Sequence, residues 1–62
     1  MNTIDLDVTL SLPQAWALAE FLKRVGLDDY RALAADQNEA WLMRDAGERL
    51  RDALREIGIA PR

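Results

Sequence analysis

Hydrophobic and polar residues alternate strictly along the first part of the chain. Every second position is apolar: Ile4, Leu6, Val8, Leu10 and Leu12. The positions between them hold Thr, Asp or Ser. A period of two, with β-branched side chains among the residues, is typical of a β-strand that buries one face. We therefore predict a β-strand over about residues 3–12.

After the predicted strand, the spacing of apolar residues becomes helical. Pro13 suits the first turn of a helix, where its missing N–H leaves no hydrogen bond unmade. Apolar residues then recur three or four positions apart: Ala15, Leu18, Ala19, Leu22 and Val25. Gly26 is typical of the residue that follows a helix C-terminus. The pattern predicts a helix over about residues 13–25.

The middle of the chain has two interpretations. In one, Asp28 caps a short helix over about residues 29–35, and a new helix begins near residue 37. Asp36 and Glu39 support that start because they have capping-box spacing. In the other interpretation, one unbroken helix begins near residue 29.

The last helix has the clearest apolar stripe. Its members are Met43, Gly47, Leu50, Leu54 and Ile57. Gly58 is suited to ending the helix, which we predict over about residues 37–57.

The predicted elements form one small domain, residues 1–62, of the α+β class: a single N-terminal strand and two or three helices. The strand has no partner strand in its own sequence, and an unpaired edge is a template for pairing with another chain. We expect a homodimer with paired N-terminal strands; addition to a partner's sheet, or a monomer that covers the strand, are the alternatives.

The composition limits both stability and chemistry. The 62 residues include no Cys and no His. A chain of this length buries only about 60% of the surface that its unfolded form exposes, and it has neither disulfides nor a Cys/His metal site to compensate. No apolar run approaches the length of a membrane span, and the N-terminus lacks signal-peptide features. We expect a cytoplasmic protein, in a bacterial cell or a phage-infected host.

Candidate catalytic groups are few. Asp5 and Asp7 share one face of the predicted strand, about 7 Å apart, but nothing beyond hydroxyl side chains converges on them. Ser11, the only serine, has no His to activate it. We predict that the chain is not an enzyme and has no catalytic, cofactor-binding or metal-binding residue.

The net charge of −3 is unevenly distributed. Residues 1–29 hold five acids and two bases, whereas residues 30–62 hold six of each. A nucleic-acid-binding surface has the opposite bias, because Lys and Arg contact phosphates. Direct binding to nucleic acid is therefore not expected.

Both tryptophans fall outside the apolar stripes of their helices. Trp16 shares a side with Glu20 and Lys23, and Trp41 shares a side with Asp45. Large aromatic side chains in such positions are candidate interface anchors. Packing within the small domain is the alternative for both.

The order of the elements, with Thr9-Leu10-Ser11-Leu12-Pro13 leading into the first helix, resembles ribbon-helix-helix regulators and antitoxins. The resemblance implies a dimeric ribbon that enters the DNA major groove. Its groove-reading positions would be Thr3, Asp5, Asp7, Thr9 and Ser11. That face has two acids and no Arg, Lys, Asn or Gln, which opposes DNA binding.

Small size and excess acid also resemble the small proteins of phages and mobile elements, including anti-CRISPR inhibitors. The resemblance implies an acidic inhibitor that mimics DNA and occupies the basic surface of a protein partner, such as a CRISPR effector complex. We prefer this function, with a dimeric DNA-binding regulator as the alternative. The predicted partner-binding residues are Asp5, Asp7, Glu20, Asp28, Asp29, Asp36, Glu39, Trp16 and Trp41.

Overall fold

The computed structural model describes residues 2–62, which contain three α-helices. Helix α1 spans Leu12–Arg24, α2 spans Leu27–Leu33 and α3 spans Gln37–Glu56. Residues 2–11, which we call the N-terminal segment, precede α1 without regular secondary structure. The part of the chain that the structure describes is all-helical.

The predicted β-strand over about residues 3–12 is wrong, and the α+β class with it. Leu12 already belongs to α1, and the preceding residues form no strand. Residues 2–62 contain no β-strand, and no backbone hydrogen bond joins residues 2–10 to the described part of the chain that follows. A strand is defined by hydrogen bonds to a neighbour. Because no neighbouring strand is present in the described residues, the alternating apolar side chains stay exposed. Ile4, Leu6 and Val8 are 83%, 80% and 67% exposed.

Helix α1 begins at a capping box. The Gln14 N–H donates to the Ser11 hydroxyl at 3.2 Å, and the Ser11 N–H donates to the Gln14 side-chain oxygen at 2.9 Å. The two bonds satisfy donors that the first turn would otherwise leave unpaired. Pro13 lies in the same turn, where no N–H is needed.

Helices α2 and α3 are separate, and residues 34–36 lie between them. At this break, two hydrogen bonds from backbone N–H groups to side-chain carboxylates cap the start of α3. The Glu39 N–H donates to the Asp36 carboxylate at 2.8 Å, and the Ala35 N–H donates to the Glu39 carboxylate at 3.0 Å. Since Asp36 takes an extended backbone conformation to cap α3, the helix cannot continue through it.

The C-terminus of α3 closes with a Schellman motif. The Ile59 N–H donates to the Leu54 carbonyl at 2.9 Å, and the Gly58 N–H donates to the Arg55 carbonyl at 3.0 Å. Gly58 has a φ of +90°, a conformation that favours glycine. The turn returns Ile59 to the core beside Leu54, and both are buried.

Helix α3 packs against both α1 and α2. The main hydrophobic core consists of Ala15, Ala19, Leu22, Leu54 and Ile59, with Leu18 packed against it. Among the described residues, no large side chain is more than 98% buried. The core is therefore shallow, and much of it is alanine.

The molecule is thin for its length. Its extents are 33 × 28 × 16 Å and its radius of gyration is 12.5 Å, whereas a compact domain of this length has about 10.5 Å. The short dimension leaves little room for a second layer over the helices. Apolar side chains of the predicted α3 stripe consequently remain uncovered: Leu50 is 45% and Ile57 is 74% exposed.

Candidate functional site

An open groove of about 520 Å³ runs between the N-terminal segment and the C-terminal half of α3. We call it the apolar groove, because Thr9 is the one polar residue in its lining. Its floor includes core residues, and its walls carry six large apolar side chains with substantial exposure: Leu6, Val8, Leu10, Leu12, Leu50 and Ile57. The groove is therefore an apolar surface that the described residues leave uncovered.

Three of the predicted partner-binding acids hold helix ends. The Asp29 carboxylate accepts a hydrogen bond from the Gly26 N–H at 2.8 Å and so caps α2. Asp36 and Glu39 make the reciprocal caps at the start of α3. Negative charge is favoured near a helix N-terminus, where backbone N–H groups lack partners. These positions have a structural role whether or not a partner uses their charge.

Two further acids form exposed ion pairs within their own helices. Glu20 lies 2.7 Å from Arg24, and Asp28 lies 2.9 Å from Arg31. Pairs of this kind contribute at most about 1 kcal/mol to stability because solvent screens them. Their negative charge is also partly neutralised by the paired guanidinium group.

Asp5 and Asp7 differ from the other five acids. Both are exposed on the N-terminal segment, and within residues 2–62 neither has a hydrogen bond or an ion pair. They flank Leu6, which lines the apolar groove. Within the described residues, these two are the predicted acids that neither cap a helix nor pair with an arginine.

Both tryptophans are partly exposed, at 43% each. The Arg44 guanidinium carbon lies 5.7 Å from the centre of the Trp41 ring, within the range of a cation–π contact. Arg44 also lies 3.7 Å from Asp45, which leaves an exposed cluster of one aromatic, one basic and one acidic side chain. Trp16 lies on α1, one helical turn before Glu20.

The ionisable side chains of the described residues are spread over the surface. Within residues 2–62, no three His, Cys, Asp or Glu side chains converge to hold a metal ion. Every charged residue in that range is at least partly exposed. A smaller depression of about 390 Å³ beside Phe21 and Arg24 is likewise open to solvent. None of the described helices combines the length and apolar character needed to cross a membrane.

The sequence pattern did not identify the apolar groove. It predicted Leu6, Val8 and Leu10 as the buried face of a strand, and Leu50 and Ile57 as the buried face of a helix. The sequence did contain one signal for it. The two apolar stripes together hold more apolar side chains than a domain of 62 residues can bury. Apolar positions that the chain cannot bury by itself become a surface.

Comparison with known proteins gives a family but no activity. A family model described as a family of unknown function (DUF7706) matches residues 1–62. No curated protein and no solved structure gives a significant match. Since the match covers the whole sequence, the chain belongs to the family of unknown function DUF7706.

Proposed function

We propose that the chain is a non-catalytic protein-interaction module that binds a partner with a basic surface. Acidic carboxylates attract such a surface, and exposed tryptophans supply apolar contact area within it. The preferred partner is a bacterial nucleic-acid-binding complex, which the chain inhibits by occupying its basic nucleic-acid site. CRISPR effector complexes are the specific candidates within that class.

The observation that carries the proposal is the exposure of both tryptophans, at 43% each, in the acidic part of the chain. Residues 1–43 hold seven acids and three bases, a net charge of −4, whereas residues 44–62 hold four acids and five bases, a net charge of +1. Trp16 and Trp41 both lie in the acidic part. Tryptophan is among the residues that most often contribute large binding energies at protein interfaces.

The DNA-binding alternative has no comparable support. A ribbon-helix-helix protein reads DNA with a β-ribbon, and residues 3–11 form no strand here. Asp5 and Asp7 would also face the phosphates with negative charge. We therefore do not propose a second function.

Binding to purified nucleic-acid-binding complexes tests the proposal. Biolayer interferometry would measure binding of the immobilised chain to a panel of such complexes, CRISPR effector complexes among them, at low and physiological ionic strength. We expect at least one complex to bind, more weakly at higher salt and in competition with duplex DNA. The D5K/D7K double variant should weaken binding on the order of tenfold, or about 1.4 kcal/mol, because it reverses two charges that attract the basic partner. Within the described chain neither acid has a hydrogen bond or an ion pair to lose.

The control variant is E48K/E56K, which changes the net charge by the same amount at two exposed acids of α3. Asp52 is left intact because it lies 3.1 Å from Arg55 in an ion pair. The control should bind nearly as tightly as the wild-type chain, since neither glutamate belongs to the proposed surface. Equal weakening by the two variants would indicate a non-specific charge effect and contradict the proposed surface. Tight binding of the wild-type chain to duplex DNA alone, or to no complex in the panel, would also overturn the proposal.

A further inference from the structure

The apolar groove is too large and too exposed to be explained by the fold of one chain. Leu6, Leu12 and Ile57 are 80%, 70% and 74% exposed around it. They lie beside Leu54 and Ile59, so the exposed surface continues directly from the hydrophobic core. Contiguous apolar surface of this kind marks a site that another molecule covers.

The exposed area of the six wall side chains, in and around the groove, is enough for a small dimer when a second copy covers all of it. Full burial of a Leu, Ile or Val side chain removes about 100 Å² from water. With their observed exposures, the six wall side chains present about 400 Å² per copy, hence about 800 Å² for two copies. Because homodimer interfaces are about 65% apolar, the corresponding total is roughly 1,200 Å². That exceeds the roughly 1,000 Å² expected of a specific interface.

The shape of the molecule favours a second copy as the occupant. Domains are built from at least two packed layers around one core, and this molecule is 16 Å thick in its short dimension. A two-fold dimer places the same patch of each chain against its counterpart. It would therefore give each core the layer that it lacks.

The two segments that form the walls of the groove differ in charge, although no charged side chain lines the groove itself. The N-terminal segment carries Asp5 and Asp7 and no base. The opposite wall, residues 49–57 of the α3 end, carries three arginines against Asp52 and Glu56. When two copies face each other, the acidic wall of one copy can lie against the basic wall of the other. The net charge of −3 on each copy acts at longer range, where salt screens it.

We propose that a second copy of this chain occupies the apolar groove, forming a homodimer whose contacts are side chains of the N-terminal segment and the C-terminal half of α3. Helix packing and apolar burial hold this dimer together, and no strand pairing is involved. The dimer interface lies apart from the surface around the two tryptophans, but Asp5 and Asp7, which the proposed function also uses, flank Leu6 in it. The oligomeric state of D5K/D7K, measured beside its partner binding, separates the two proposals.

Analytical ultracentrifugation of the full chain tests the dimer. We expect the wild-type chain to reach twice its 7.0 kDa monomer mass as the concentration rises. The L6D variant places a carboxylate in the groove and should weaken association at least tenfold. The matched control is L33D, because Leu33 is 84% exposed at the end of α2 and does not line the groove. L33D should associate like the wild-type chain.

A second measurement uses wild-type chains alone, so its result does not depend on whether a variant folds. In a mixture of isotope-labelled and unlabelled wild-type chains, filtered NOE spectra should show contacts between copies involving the methyl groups of Leu6, Leu50 and Ile57. A monomer mass at every concentration would contradict the proposal and leave the groove to a different protein. Equal loss of association in L6D and L33D, or intermolecular contacts confined to α2, would place the interface elsewhere and overturn it.

Discussion

Gly47 lies on the face of α3 where both shorter helices meet it. A Cβ built at this position would collide with the Tyr30 hydroxyl oxygen and lie 3.6 Å from Leu22 Cδ2. Leu22 belongs to α1 and Tyr30 to α2, so the missing side chain allows both helices to approach the same turn. Glycine in a helix interior weakens that helix by about 1 kcal/mol relative to alanine. The close packing here offsets that loss.

Gly47→Ala separates the two effects. We expect a net loss of about 1 kcal/mol in the free energy of unfolding, measured by urea denaturation, because steric strain exceeds the gain in helix propensity. In the Tyr30→Phe background, which lacks the hydroxyl, the same change should cost less, because only the ring carbon Cζ, 3.2 Å from the added Cβ, still crowds it. The control Ala46→Gly, at the exposed neighbouring position, should lose about 1 kcal/mol from propensity alone. A gain of stability from Gly47→Ala with Tyr30 intact would contradict the packing described here.

At the same scale, caps were predictable where they depend on local spacing. Asp36 and Glu39 indicated the start of α3, and the structure shows both of their hydrogen bonds. Gly26 was predicted to follow the C-terminus of α1, and it comes directly after the Val25 C-cap. It is also the N-cap of α2, the position predicted for Asp28, and its N–H donates to Asp29. One glycine can thus serve two helices, and where the second helix begins depends on how both helices pack. That information lies outside a short window of sequence.

At the scale of the element, helices and the N-terminal segment differ in what holds them. A helix makes its hydrogen bonds within its own sequence, so a periodic pattern with caps is nearly sufficient to predict it. A strand requires a partner, which the pattern cannot supply. Residues 3–11 show the alternation of a strand and have no strand neighbour among the described residues. The segment therefore remains irregular while its apolar side chains form one wall of the groove.

Amide hydrogen exchange distinguishes these two kinds of segment. The N–H groups of residues 3–10 have no partner within the described chain, so they should exchange at nearly unprotected rates in NMR experiments. The interior amides of α3, such as that of Leu50, serve as the protected control. Exchange from residues 3–10 should stay fast at concentrations where the dimer forms, because its contacts are side chains. Protection of every second amide from residue 3 to residue 10 would instead indicate strand pairing between copies.

At the scale of the whole molecule, the buried residues explain why the site was harder to predict than the helices. Three of the six buried hydrophobic residues are alanines, and none is aromatic. The helical period correctly placed Leu50 and Ile57 on the same side as Leu54. The period does not show whether another element covers that side. Coverage depends on the number of layers, and a thin molecule of 62 residues has too few.

A monomer with so small a core should depend on association for much of its stability. When folding is coupled to dimerisation, the melting temperature rises with protein concentration by mass action. A hundredfold increase in concentration should raise the melting temperature of the wild-type chain by about 5–10 °C, as followed by circular dichroism. L6D should melt lower than the wild-type chain at every concentration, because its weaker association contributes less stability, whereas L33D should melt like the wild-type chain. A melting temperature of the wild-type chain that does not change with concentration would contradict the dimer. It would show that the three helices are stable in the monomer, so that a second copy does not cover the groove.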